Sequence, residues 1–110
     1  MGRSVSDGAE AVAVNESLPF ITWQVVDRLL QLLRECEKWD TQKPHVYPHS
    51  EGGLQLEWRT DSGRSIEVEL FNGGRVTYFD GGQEPVEVID VPFRPVVIIG
   101  DVANIYAIEG

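Results

Sequence analysis

A chain of 110 residues and 12.3 kDa holds one domain, and 42% hydrophobic residues suffice for one modest core. A single cysteine, Cys36, excludes an internal disulfide framework and any multi-cysteine zinc site. Eighteen acidic residues against nine basic ones give a formal net charge of −9 and a pI near 4.5, too few cations to neutralise a phosphate backbone.

The imbalance is steepest over residues 80–110, where six acids (Asp80, Glu84, Glu87, Asp90, Asp101, Glu109) face one base, Arg94. Direct binding of nucleic acid is disfavoured, and so is an anionic membrane surface, whereas an acidic surface favours a basic partner. No apolar run approaches the ~20 residues of a membrane span. Residues 1–17 also lack the apolar centre of a signal peptide, so a cytoplasmic protein is expected.

Residues 1–17 are small and polar with no periodic apolar face, and read as a flexible tail ahead of a single domain over 18–110. An amphipathic helix follows over residues 20–39, with Ser17 or Thr22 as its cap and Pro19 confined to a first turn. Val26, Leu29, Leu30, Leu33 and Cys36 form its apolar stripe, widened by Val25 and Leu32. Pro44 and Pro48 stop it, and residues 40–53 read as a connection.

Three period-two segments come next. Leu54, Leu56 and Trp58 alternate with polar residues, as do Ile66, Val68 and Leu70, and then Val76 and Tyr78. The apolar residues are even-numbered on all three strands, so each opposed pair must sum to an even number. A two-residue turn at Asn72-Gly73 gives an odd sum; a three-residue loop with a left-handed glycine and a bulge places Leu70 opposite Val76 and Val68 opposite Tyr78. A turn centred near Ser62 places Glu57 opposite Glu67. Residues 86–91 read as a further strand, and Val96-Val97-Ile98-Ile99, apolar on both faces, as a buried one. Residues 101–109 fit either a short helix or a strand, and no internal repeat is evident.

Little in the sequence points to catalysis. His45 and His49 are four apart, but lie beside Pro44 and Pro48, where no helix can present them as a metal pair; they read as surface histidines. Cys36 sits on the helix stripe beside Glu35 and Glu37, the setting of a core thiol rather than a thiolate nucleophile. No nucleophile elbow or phosphate loop is present, and no cofactor is implied. The one constellation is Glu57, Glu67 and Glu69, which parity puts on the face opposite the leucines, together with Phe71 and Phe79. Like charges directly across a strand pair are destabilising unless a cation lies between them. Arg59, Arg75 or a partner's lysine or arginine could supply it. Covering of this face by the segment after Val86 is the alternative to an open docking surface.

Trp39-Asp40, Pro48, the run Glu51-Gly52-Gly53-Leu54-Gln55-Leu56-Glu57-Trp58 and the run Ser65-Ile66-Glu67-Val68-Glu69-Leu70 resemble a group of small, uncharacterised bacterial and phage proteins. That group shares a leading helix, a Trp-Asp element and a Gly-Gly-x-Gln-Leu-Glu-Trp strand followed by a glutamate-rich one. The resemblance covers residues 22–78 and departs at Thr41-Gln42-Lys43-Pro44, where the group carries a Gly-Tyr-Gly-Ala-like stretch. It implies a protein-binding role, as in an antitoxin, immunity protein or inhibitor.

The expected fold is therefore α+β: one N-terminal amphipathic helix on an antiparallel meander sheet of three to five strands, with Trp23, Leu29, Leu33, Trp58, Val68 and Tyr78 in the core. The expected function is that of a non-enzymatic acidic module whose Glu57, Glu67, Glu69, Phe71 and Phe79 occupy a basic surface of a partner protein. The alternative is a structural subunit of a phage or bacterial homo-oligomer, paired through the edge of Val96-Val97-Ile98-Ile99.

Overall fold

A computed structural model describes residues 20–81 and 88–109; the tail expected over residues 1–17 lies outside them. In chain order the elements are α1 (Trp23–Lys38), β1 (His45–Pro48), β2 (Gly53–Arg59), β3 (Ser65–Phe71), β4 (Val76–Asp80), β5 (Val88–Asp90) and α2 (Pro95–Glu109). The five strands form one antiparallel sheet in the order β1-β2-β3-β4-β5, an α+β meander.

Helix α1 is shorter than the expected 20–39 span. Thr22 caps it, its side chain accepting from the Val25 N–H. Asn72, in the β3–β4 loop, pins this start from both sides: its Oδ1 accepts from the Thr22 N–H at 3.1 Å and its Nδ2 donates to the Phe20 carbonyl at 2.8 Å. The far end closes in a Schellman motif. The Thr41 N–H reaches the Cys36 carbonyl and the Asp40 N–H reaches that of Glu37, with Asp40 itself at φ 52°. The buried line of α1 runs through Val25, Leu32 and Cys36, with Leu29 packed beside it. That line corrects the expected stripe and one core residue. Trp23 is about 200° round the helix from Val25 and stands 53% exposed.

All three tight hairpins turn in the same way. His49 N–H bonds to the Gly53 carbonyl and Gly52 N–H to that of His49; Thr60 and Gly63 repeat the pattern with Arg64, and Phe71 and Gly74 with Arg75. Each loop has three residues and ends on a glycine at positive φ, 96° at Gly52, 93° at Gly63 and 100° at Gly74, eleven residues apart. Opposed pairs therefore sum to an even number in each hairpin. His45 faces Glu57, Glu57 faces Glu67, and Leu70 faces Val76, the last two as expected from the sequence. At β4–β5 the sum is odd, so Val88 and Asp90 join the odd-numbered face.

The even face is the core. Leu54, Leu56, Trp58, Ile66, Val68, Leu70 and Val76 are buried against residues of both helices, with Tyr78 half-buried at the edge. Trp58 buries its indole and donates Nε1–H to the Gln42 carbonyl at 2.9 Å. Leu33 is only half-buried.

Two elements depart from the sequence reading. Residues 40–53 contain an edge strand, β1, where proline is tolerated because one side of the strand has no ladder to feed. Val96-Val97-Ile98-Ile99 is not a strand: it opens α2, so the chain has a second helix. Pro95 sits at the first helical position, and the Arg94 carbonyl accepts the first intrahelical bond from Ile98. Ile98, Ile99, Val102 and Ile105 form a buried helical stripe, and this packing overrides the strand preference of β-branched residues.

The far end of α2 is held by ion pairs. Arg64, from the β2–β3 loop, forks onto Asp80 at 2.9 and 2.6 Å and reaches Glu109 with its remaining nitrogen. Asp80 is buried, and its hydrogen bonds, followed by that of Glu109, raise the affinity of the guanidinium for its proton. Arg64→Met should lower stability by about 3 kcal/mol, the cost of stripping a buried carboxylate of its cation, read as a shift in the urea midpoint.

At Gly53, where β2 begins, a Cβ would lie 2.0 Å from the Leu70 carbonyl oxygen at φ 109°, whereas at Gly63 a Cβ would meet open space. Gly63→Ala should therefore cost about 1–2 kcal/mol of backbone strain alone. Gly53→Ala should cost clearly more in the same denaturation series, because β2 and β3 must also separate.

Candidate functional site

The odd-numbered face of the sheet carries the polar constellation. Successive rows across the strands read His45, Glu57, Glu67, Phe79, Val88 and then Tyr47, Gln55, Glu69, Thr77, Asp90. Glu57, Glu67, Glu69, Phe71 and Phe79 are all half-buried and share this face. The C-terminal segment does not cover it: α2 packs its buried side chains into the core on the other side, and β5 extends the sheet edge. Among the described residues no element is laid over the glutamates.

Each glutamate has its own partners. Glu57 accepts from Arg59 at 2.8 Å and from the Ser65 hydroxyl at 3.2 Å. Glu69 accepts from the Thr77 hydroxyl at 2.6 Å and meets His49 Nε2 at 2.7 Å. Among the described residues Glu67 takes only the neutral amide of Gln55, at 3.1 Å. Arg59 thus acts as the expected internal cation. Arg75 does not: it pairs with Asp90 at 2.8 Å, and its guanidinium lies 5.2 Å from the Phe71 ring centre.

His49 is more than a surface histidine. Its side chain is 11% exposed, packs edge-on to Phe71 with ring centres 4.7 Å apart, and accepts the Glu51 N–H on Nδ1. That contact places the ring proton on Nε2, which donates to Glu69. His49 stands at the same place before its loop as Thr60 and Phe71 do before the two loops that follow, in eleven-residue steps. His45, by contrast, is exposed on the edge strand beside Glu57.

The electrostatic consequence falls on Glu67. Partial burial is the main cause that raises its pKa, and the charges of Glu57 and Glu69 add to it, against a smaller lowering by Arg59. Cys36 lies elsewhere, fully buried in the core, where burial pushes its thiol up to about 11. Among the described residues no group of three or more His, Cys, Asp or Glu side chains is placed to hold a metal ion, and no helix is long and apolar enough to cross a membrane.

Comparison with known proteins returns no matching family model, no matching curated protein and no matching solved structure.

A glutamate whose folded pKa is raised favours folding when protonated. Its ionised form therefore costs stability at neutral pH, and the cost disappears as pH falls through the raised pKa towards the ordinary value of 4.5. Glu67→Gln keeps an acceptor for Gln55 and removes the charge. It should raise stability at pH 7 by about 0.5 kcal/mol, with the gain vanishing near pH 4, as followed by thermal melts across that range.

Proposed function

We propose that this protein is a non-enzymatic acidic binding module, of the inhibitor, antitoxin or immunity kind, that lays its glutamate face on a basic surface of a partner protein in the cytoplasm. The observation that carries this reading is Glu67: a half-buried carboxylate held between Glu57 and Glu69, with no ion pair to a described residue. A partner's lysine or arginine placed there relieves a repulsion that the free protein bears, so the charge contributes more in the complex than on the isolated surface. Phe71 and Phe79 flank the acidic row and offer apolar anchors beside it. The net charge of −9 steers a basic partner during approach. If that partner normally binds nucleic acid, the glutamate row stands in for phosphates.

The homo-oligomer reading loses its support, since the edge it relied on, Val96 to Ile99, is the first turn of α2.

Glu69 is committed to His49 and Thr77, so Glu67 is the position at which charge can be reversed without dismantling the face. With a partner identified by quantitative affinity capture, Glu67→Lys should weaken its binding at least about tenfold and flatten the salt dependence of the remainder. Phe79→Ala should weaken binding without changing the salt slope. Retention of the partner by Glu67→Lys at wild-type affinity places the interface on another surface.

A further inference from the structure

A cavity of about 310 Å³ opens on the other side of the sheet, between the β4–β5 edge and the first turns of α2. Tyr78 and Ile89 form one wall and Val97 and Ile98 the other, with Arg94 and Asp101 also on its lining. The aliphatic walls are open to solvent, Ile89 being 47% and Val97 54% exposed. Isolated apolar side chains on a surface need no explanation, but several converging on one concavity with a few polar groups define a ligand site.

The two charges give the site its chemistry. Arg94 immediately precedes α2 and Asp101 lies nearly two turns into it; both line the cavity, their backbones about 10 Å apart along the helix axis. Neither takes part in an ion pair with a described residue. Asp80 also reaches the cavity, but Arg64 already neutralises it. A ligand with one charge would meet an attractive group at one end and a repulsive one at the other. A ligand with opposite charges at its ends satisfies both, and its body lies along the aliphatic walls.

We propose that this cavity binds a small zwitterion with an aliphatic body, a dipeptide, with its carboxylate at Arg94 and its ammonium at Asp101. The start of α2 adds its partial positive charge at the Arg94 end. Burial raises the pKa of Tyr78 to about 12, so its phenol stays protonated and neutral beside the ligand at physiological pH. The site lies on the face opposite the glutamates and is independent of the role proposed for them.

The test is calorimetric titration of the full chain with L-leucyl-L-leucine, its C-terminal amide and its N-acetyl derivative, with NMR of Tyr78 and Ile98 as the reporter of location. The dipeptide should bind and shift both residues, while the amide and the acetyl derivative should each bind about tenfold more weakly or less. Arg94→Gln should weaken the dipeptide about tenfold and leave the amide unchanged; Asp101→Asn should do so for the dipeptide and leave the acetyl derivative unchanged. Both side chains are exposed, so these variants keep the core intact. Equal binding of the amide overturns the proposal in favour of a subsite for a partner's basic side chain. Equal binding of the acetyl derivative, or no shift of Tyr78 and Ile98 with any of the three at millimolar concentration, also overturns it. Glu67→Lys should leave dipeptide binding unchanged, which separates this site from the glutamate face.

Discussion

Three-residue loops ending on glycine decide which side chains this sheet shows to the core and which to solvent. A strand has period two, so a hairpin one residue shorter or longer would send every side chain of the next strand through the sheet. The loops ending at Gly52, Gly63 and Gly74 avoid that three times in succession with one hydrogen-bond pattern. They keep the aliphatic residues of β2, β3 and β4 on one face. Positive φ at those glycines is the local condition, and the partition of the whole domain follows from it. The same arithmetic gathers Glu57, Glu67 and Glu69 on the opposite face whether or not their charges agree.

The two faces are stabilised by different physics. On the even face, α1 and α2 together bury a contiguous set of aliphatic side chains with Trp58, and burial of apolar area dominates. Among the described residues the odd face has no such cover, and its glutamates are held by hydrogen bonds from Arg59, Ser65, Gln55, Thr77 and His49. Partly solvated pairs of this kind contribute little net stability. Their effect is positional: they hold Glu57 and Glu69 on either side of Glu67, which leaves one carboxylate in a field of its own sign. A surface selected only for stability would not keep that arrangement, since exchanging one glutamate for a neutral residue removes the repulsion.

Much of this was legible in the sequence because period-two alternation is a strong signal and parity turns it into register. The Leu70–Val76 and Glu57–Glu67 pairings both follow from counting. The parts that were not legible share a cause. Val96 to Ile99 carry the side chains of a strand, and only the stripe continuing through Val102 and Ile105 marks a helix. Gly100, which breaks the apolar run in the sequence, lies off that stripe and against the Trp39 ring. Strand β1 was hidden by Pro44 just before it and Pro48 at its end, since proline punctuates a loop and an edge strand alike. The eleven-residue step that links His49, Thr60 and Phe71 escapes a search for repeats, because the loops repeat in backbone geometry and share only their closing glycine. Trp39-Asp40, read as a motif, is the closing turn of α1, with Asp40 in the left-handed position that glycine usually takes.

The proposed contact face and the proposed ligand cavity meet at β5. Only three residues long, this strand sends Val88 to the glutamate side beside Phe79 and Ile89 to the cavity side beside Tyr78. Adjacent residues of a strand project to opposite faces, so one short segment contributes a wall to each site. Coupling between the sites would therefore pass through β4–β5, the pairing with the fewest residues in the sheet, and through the Arg75–Asp90 pair at its end. That pair is exposed on both partners and contributes little. The core strands β2 and β3 are locked by seven opposed pairs, and among the described residues neither lines the cavity. The geometry thus favours two sites that act independently on a rigid sheet, with β5 as the one element through which an occupant of either could be felt at the other.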